Sequence, residues 1–216
     1  NGILIKNAEA LEISNKINVL ITDKTGTLTE GKPSIEKIVS FDNSIYSTDE
    51  LLQLTASLNQ NSEHPLARSF IQFAKDRAVS LIPVKMFISQ TGKGIQGLVN
   101  GKKISLGNRA LMKEINAVLD PQMALAVNQQ QSLGKTVSYI AEGSEILGYV
   151  VLYDKIKPSS KKAVQDLQNR GIEVIMITGD NKNTALAVSR ELGIHRFLAE
   201  ALPEDKLGEI KKLQSS

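Results

Sequence analysis

Two short runs of apolar, largely β-branched residues constrain the fold of this chain more than any other feature. Residues 19–22 lead directly into Asp23, and residues 174–178 lead into Gly179 and Asp180. Continuous apolar runs of this length are typical of central strands in a parallel sheet with helices on both faces. In such sheets, ligands bind at the carboxyl ends of the strands. The sequence therefore predicts an α/β sheet that carries acidic groups at its ligand-binding edge.

Helix signals flank the second run on both sides. Pro158 suits the first turn of a helix, and Gly171 is a candidate C-terminal cap for that helix. Asn181 is a candidate N-cap for a helix that ends at Gly193. The apolar residues between these signals recur at helical spacing. The pattern therefore predicts helix, strand and helix in succession.

A different kind of sequence lies between the two runs. Helical patterns cover residues 48–58 and 62–79, and strand-like stretches follow them. Asn100-Gly101 is a strong signal for a tight hairpin, and a second hairpin is predicted to join 138–140 to 147–152. Together these patterns indicate an α+β unit with an antiparallel sheet flanked by helices.

The simplest arrangement is an α+β domain inserted into an α/β domain. Residues 1–32 and 153–216 would form the α/β domain, and residues 33–152 would form the insertion. The chain would cross between them near 31–34 and 153–155.

Composition excludes several classes of function. The chain has no cysteine and two histidines, which excludes disulfides and thiol chemistry and argues against a transition-metal site. Its 26 basic and 23 acidic residues are interspersed, so no nucleic-acid partner is expected. No apolar stretch reaches the roughly 20 residues that span a bilayer. We therefore expect a soluble, monomeric unit.

The stretch "DKTGT" at residues 23–27 has the chemistry for phosphoryl transfer. A carboxylate at a strand end can attack phosphorus and hold the phosphoryl group as an acyl phosphate. Lys24 supplies charge, Thr25 and Thr27 supply hydroxyl groups, and Gly26 permits close approach of the backbone. The alternative is that Asp23 only ends a strand and begins a turn. An Asp-Lys pair alone would favour that alternative.

The longer string "DKTGTLTEGKP" resembles the phosphorylation motif of P-type ATPases, and particularly of their heavy-metal-transporting (P1B) branch. Other matching strings follow in the family's order: "SEHPLA" at 62–67, "TGKG" at 91–94, "LGN" at 106–108, "TGD" at 178–180 and "PEDK" at 203–206. The chain is most similar to copper transporters, with zinc or cadmium pumps as the nearest alternative. The resemblance implies a haloacid-dehalogenase-like, Rossmann-like phosphorylation domain with an inserted nucleotide-binding domain. It further implies that the phosphorylation domain is incomplete at its C-terminus.

The resemblance assigns roles to residues that match the family's motifs. The implied catalytic residues are Asp23, Lys24, Thr25, Thr178, Gly179, Asp180 and Lys206. Asp23 would accept the γ-phosphoryl group of ATP and, with the backbone carbonyl of Thr25, would bind Mg²⁺, whose remaining protein ligand would follow Ser216. The implied nucleotide-binding residues are Asn59, Glu63, His64, Gly92, Gly94, Gly107 and Asn108. Asn59 replaces a glutamate that is usual in copper pumps. Without the resemblance, His64 is interpreted as a solvated residue in a first helical turn.

The resemblance also implies a larger protein. The chain would be a cytoplasmic domain of an integral plasma-membrane or inner-membrane pump that exports a heavy-metal cation, with transmembrane and actuator domains as its partners. The similarity to copper transporters implies Cu⁺ as that cation. Two other functions stay open: a soluble phosphatase, which Thr25 disfavours because such enzymes place a second Asp there, and a nucleotide-binding module without turnover. The string "GKT" at 134–136 suggests a P-loop, but Gln129 occupies the position that requires glycine.

Overall fold

The computed structural model describes residues 16–41 and 44–201, together with residues 9, 12, 208 and 211. Lys206 lies outside the described residues. The strands are β1 (Val19–Asp23), β2 (Ser34–Ser40), β3 (Val84–Gln90), β4 (Gly94–Val99), β5 (Lys102–Gly107), β6 (Thr136–Glu142), β7 (Glu145–Tyr153), β8 (Glu173–Ile177) and β9 (Arg196–Leu198). The helices are α1 (Thr48–Asn59), α2 (Ala67–Asp76), α3 (Arg109–Glu114), α4 (Pro121–Ser132), α5 (Pro158–Asn169) and α6 (Lys182–Leu192).

A three-stranded parallel sheet forms the first unit of the fold, in the order β1-β8-β9. Its central strand β8 is buried from Val174 to Ile177, which explains the unbroken apolar run. The predicted helices on either side of β8 are confirmed. Asn181 caps α6 by accepting hydrogen bonds from the first-turn amides, and Gly193 ends it in the left-handed conformation at φ 72°. We call this sheet with α5 and α6 the α/β unit.

A six-stranded antiparallel sheet forms the second unit, in the order β2-β7-β6-β5-β4-β3. One apolar cluster joins it to α1 and α2, and a second cluster joins it to α3 and α4. In β6, Tyr139 belongs to the second cluster and the next residue, Ile140, to the first, so helices cover both faces. We call residues 34–153 the inserted unit. The predicted boundaries at 32/33 and 152/153 stay a prediction.

Both predicted hairpins are confirmed. Asn100 and Gly101 adopt positive φ angles of 51° and 78°, as a two-residue turn between β4 and β5 requires. The predicted helix over 62–79 is shorter than expected, because α2 starts only at Ala67. His64 precedes Pro65, and a proline disfavours helical geometry in the residue before it. Residues 64–66 therefore form a turn instead.

The two chain crossings lie side by side. Thr29 forms a bridge with Ile156, Glu30 N donates to Lys155 O at 2.8 Å, and Lys157 N donates to Leu28 O at 3.0 Å. The connection between the units is therefore a short antiparallel pair of segments. None of the helices in the described part of the chain is long and apolar enough to cross a membrane.

Candidate active site

The edge of the parallel sheet brings the two predicted acidic motifs together. Asp23 at the end of β1 pairs in register with Ile177 at the end of β8, so Thr178 to Asp180 emerge beside it. The side chain of Asp23 is exposed, whereas that of the next residue, Lys24, is buried. The strand end therefore presents a carboxylate outward and an ammonium inward.

A compact turn follows Asp23 and is held by groups from the second crossing. Gly26 adopts φ 76°, and its amide donates to Thr29 Oγ1 at 3.2 Å. Thr29 Oγ1 in turn lies 2.5 Å from Asp154 Oδ2. Lys157 Nζ donates to the carbonyl of Gly26 at 2.8 Å. The loop that carries Thr25 and Gly26 is thus fastened to the crossing between the units.

Lys24 and Asp180 form a buried ion pair. Lys24 Nζ lies 2.5 Å from Asp180 Oδ2, with side chains only 5% and 10% exposed. Asp180 also accepts hydrogen bonds from Thr178 Oγ1 at 2.8 Å and from Thr136 Oγ1 at 2.7 Å. Burial raises the pKa of Asp180, but the Lys24 charge and the three hydrogen bonds outweigh it and hold the pKa below its ordinary value. Asp180 is therefore a carboxylate with a fixed set of donors.

Oxygen ligands for a hard cation are present at the strand end, but they do not form a complete site. Asp23 offers a carboxylate and Thr25 a backbone carbonyl two residues later, and both residues are exposed. Within the described residues, no three His, Cys, Asp or Glu side chains cluster closely enough to hold a metal. Mg²⁺ is commonly bound by one or two carboxylates together with substrate phosphates. The donor set fits that mode of binding.

The structure brings four of the predicted nucleotide-binding residues together at one end of β4 and β5. Gly94 pairs with Gly107 across the strands, and Asn108 Nδ2 donates to the carbonyl of Gly92 at 2.7 Å. A Cβ at Gly94 would lie 2.3 Å from Leu106 O, and one at Gly107 would lie 2.4 Å from Lys93 O. The close approach of two backbones therefore requires both glycines, independently of any ligand. Asn108 also caps α3.

The other three predicted nucleotide-binding residues lie at the end of α1 and just beyond it. Asn59 is buried and donates from Nδ2 to Thr55 O at 2.8 Å. Glu63 and His64 are exposed, and His64 Nδ1 accepts a hydrogen bond from Leu66 N at 3.2 Å. We call Gly92, Gly94, Gly107 and Asn108 the glycine cluster. Across residues 16–41 and 44–201, no hydrogen bond or ion pair links Asn59, Glu63 or His64 to this cluster.

Sequence reasoning missed three residues that support this site: Thr136, Asp154 and Lys157. Thr136 belongs to the "GKT" string that fails as a P-loop, and Asp154 and Lys157 belong to the "DKIK" string at the second crossing. A short polar string at a predicted crossing between units is the signal that could have identified Asp154 and Lys157.

Residues 17–216 match the family model of the haloacid dehalogenase-like hydrolases. A copper-transporting P-type ATPase of Rhizobium leguminosarum bv. viciae is 43% identical over 217 residues, covering 99% of this chain and 25% of that protein. A silver exporting P-type ATPase of Salmonella typhimurium is 38% identical over 215 residues, covering 100% of this chain and 26% of that protein. The chain thus spans about a quarter of the length of these relatives.

Solved structures show the same architecture. The catalytic domain of the CPx-ATPase CopB-B, described in a study of conformational changes upon nucleotide binding, has a TM-score of 0.74 and 25% identity, covering 98% of this chain and 72% of that one. A zinc-transporting PIB-type ATPase in the E2.Pi state has a TM-score of 0.61 and 32% identity, covering 98% of this chain and 34% of that one. The predicted fold class is confirmed.

Proposed function

Because the chain belongs to the haloacid dehalogenase-like hydrolases, we propose that it is the ATP-binding and aspartyl-phosphorylation unit of a heavy-metal P-type ATPase. The observation that carries the proposal is the end of β1, where an exposed Asp23 carboxylate stands beside the buried pair of Lys24 and Asp180. A nucleophile needs access to its substrate, and a nearby fixed charge network stabilises the transferring group.

In the proposed reaction, a carboxylate oxygen of Asp23 attacks the γ-phosphorus of ATP. The new bond is an acyl phosphate, the bond from the γ-phosphorus to the bridging oxygen breaks, and ADP leaves with that oxygen. The exposed backbone at Gly179 would donate a hydrogen bond to the phosphoryl oxygens, and the Thr178 hydroxyl, which donates to Asp180 here, would turn towards them as they arrive. Lys24 would act from behind the site by holding Asp180 in place. Lys206, outside the described residues, is proposed to offset the charge of the phosphoryl group.

Magnesium fits the same edge of the sheet. We propose that the Asp23 carboxylate and the Thr25 carbonyl hold it together with phosphate oxygens. Once bound, the ion would reduce the repulsion between the carboxylate and the incoming phosphate.

The inserted unit is proposed to bind the adenosine part of ATP. The proposed contacts are Asn59, Glu63, His64, Gly92, Gly94, Gly107 and Asn108. The grouping of Gly92, Gly94, Gly107 and Asn108 at one end of β4 and β5 supports this assignment. The exposed imidazole of His64 is available for contact with a base.

The larger pump is also part of the proposal. We propose that the chain is a cytoplasmic domain of an integral membrane protein that exports Cu⁺, with transmembrane and actuator domains as partners. Relatives named for copper transport support this ion, while the similar zinc-transporting structure keeps zinc or cadmium as the alternative. Phosphorylation stimulated by Cu⁺ but not by Zn²⁺ in the whole pump would decide between the two ions.

Acid-quenched labelling tests the nucleophile. The whole pump is incubated with γ-labelled ATP and Mg²⁺, and the quenched protein is treated with hydroxylamine, which cleaves acyl phosphates. We expect hydroxylamine-sensitive label that Asp23→Asn abolishes. Asp166→Asn, which changes an exposed aspartate on α5, is the matched control and should leave the label unchanged. Label that survives Asp23→Asn would overturn the assignment.

A further inference from the structure

Asp180 is held from both units of the fold. Its Oδ2 atom accepts from Lys24 and Thr178, which both belong to the α/β unit. Its Oδ1 atom accepts from Thr136 Oγ1, at the first residue of β6 in the inserted unit, at 2.7 Å. Within the described residues, Thr136 is therefore the one side chain of the inserted unit that donates a hydrogen bond to the Asp180 carboxylate.

A second contact keeps the same segment docked. Thr184 Oγ1, fully buried in the first turns of α6, donates to the carbonyl of Lys135 at 2.7 Å. Gly134 lies against the same helix, since a Cβ added there would be 3.5 Å from Val188 Cγ2 and 3.7 Å from Ala187 Cβ. Residues 134–136 thus form a docking segment that rests on α6 and ends on Asp180.

The hydroxyl of Thr136 donates to the carboxylate oxygen that the other two donors leave. Lys24 and Thr178 both contact Oδ2, so without Thr136 the Oδ1 atom of this buried carboxylate would lose its donor. Because an unpaired buried acceptor is costly and the terminal torsion of an aspartate is broad, the carboxylate would then turn to share the Oδ2 donors between its two oxygens. Because Lys24 is buried against the same carboxylate, the orientation of Asp180 also sets the position of the Lys24 ammonium.

We propose that Thr136 is a positioning residue for phosphoryl transfer. When the inserted unit docks on α6, the Thr136 hydroxyl fixes Asp180 and, through Asp180, the loop of residues 178–180 that emerges beside Asp23 and faces the incoming phosphoryl group. The inference rests on the proposed function and extends it, because it makes the geometry at Asp23 depend on the relative placement of the two units.

The first test compares single-turnover phosphorylation of the whole pump across ATP concentrations. Thr136→Val keeps the shape of the side chain but removes the donor, so the maximal rate should fall about tenfold or more, as for a lost hydrogen bond to a charged group. The half-saturating ATP concentration should change less than about twofold on the same reasoning. Thr136→Ser keeps the donor and should restore most of the rate. Ser138→Ala, two residues along the same strand, is the matched control and should behave as wild type.

The second test does not depend on phosphorylation. The chain has no cysteine, so spin labels can be placed at Gln129→Cys on α4 and Gln165→Cys on α5, both exposed. We expect Thr136→Val to broaden the distance distribution between the labels and Thr136→Ser to leave it narrow.

The outcomes distinguish a failure of the positioning role from a failure of the proposed function. An unchanged phosphorylation rate in Thr136→Val, or an equal loss of rate in Thr136→Ser, overturns the positioning role. A wild-type pump without hydroxylamine-sensitive label overturns the proposed function instead. In that case, an unchanged distance distribution in Thr136→Val would still overturn the docking role of Thr136.

Discussion

At the residue scale, the site depends on Asp23 and Lys24, two neighbouring residues whose side chains point in opposite directions. Successive side chains at a strand end point to opposite sides, so an exposed Asp23 places Lys24 in the interior. A buried ammonium is costly unless it is paired, and Asp180 supplies the pair. The positions of Asp23 and Asp180 at the strand ends could be predicted from sequence, because each follows an apolar run. Their partner Thr136 could not be, since 44 residues separate it from Asp180 and no local pattern encodes that contact.

Asp180→Asn should therefore cost stability as well as activity. The substitution leaves the Lys24 ammonium buried without an opposite charge, and breaking a buried pair costs about 3 to 5 kcal/mol. The free energy of unfolding, measured by urea denaturation at pH 7, should fall by that amount. Asp166→Asn breaks the exposed pair with Lys162 and is the matched control, with an expected change below about 0.5 kcal/mol. Equal effects of the two substitutions would contradict the buried pair.

The two histidines of the chain offer a matched test of the adenosine site. His64 lies in the predicted nucleotide-binding set, and His195 is exposed on the α/β unit. His64→Ala should weaken ATP binding by about 1 to 3 kcal/mol, the cost of a hydrogen bond lost with its partner left unsatisfied. His195→Ala should leave the affinity unchanged. Isothermal titration of the chain with ATP makes the comparison, and equal affinities for both variants would remove His64 from the site.

At the element scale, local signals decided what could be predicted. The helices α5 and α6 carry a proline, an asparagine or a glycine at their ends, and each of these residues acts within its own turn. Helix α4 was not predicted. Only Val127 and Gln131 are buried along its twelve residues, so the sequence shows almost no apolar stripe there. Strand β3 was not predicted for a similar reason. It is an edge strand whose apolar residues Met86 and Ile88 are exposed, so its pattern of burial is not visible in the sequence. Elements whose burial is decided by distant partners leave little trace in the local sequence.

The paired glycines of β4 and β5 give an element-scale prediction. Gly94→Ala would put a Cβ 2.3 Å from Leu106 O at a backbone φ of 150°, so the strands must separate there. We expect a loss of at least about 1 to 3 kcal/mol, as for an overpacked core, together with lost ATP binding. Gly143→Asn is the control, because it places a residue that tolerates left-handed geometry at φ 57° with no atom within 4 Å. Thermal unfolding of both variants measures the difference, and a Gly94→Ala protein as stable as the control would contradict the close approach.

At the scale of the whole molecule, the two units are joined by very little chain. The crossings are two adjacent segments, fastened where Asp154 contacts Thr29 and accepts a hydrogen bond from Lys32 N at 3.2 Å. Helix α4 and the docking segment also rest on α6, but these contacts are not covalent and can be remade at another angle. Two short linkers between units that otherwise only touch are the arrangement of a hinge.

Nucleotide binding should therefore change the relative orientation of the units. In the proposed site, ATP must touch the glycine cluster of the inserted unit and Asp23 of the α/β unit at the same time, and only a limited range of angles satisfies both contacts. The small-angle scattering profile of the chain should change when a non-hydrolysable ATP analogue is added to saturation. His195→Ala should show the same change, whereas His64→Ala should need a higher concentration of the analogue. Identical profiles with and without the saturating analogue would contradict the hinge, because a ligand that binds one orientation better must shift the population towards it.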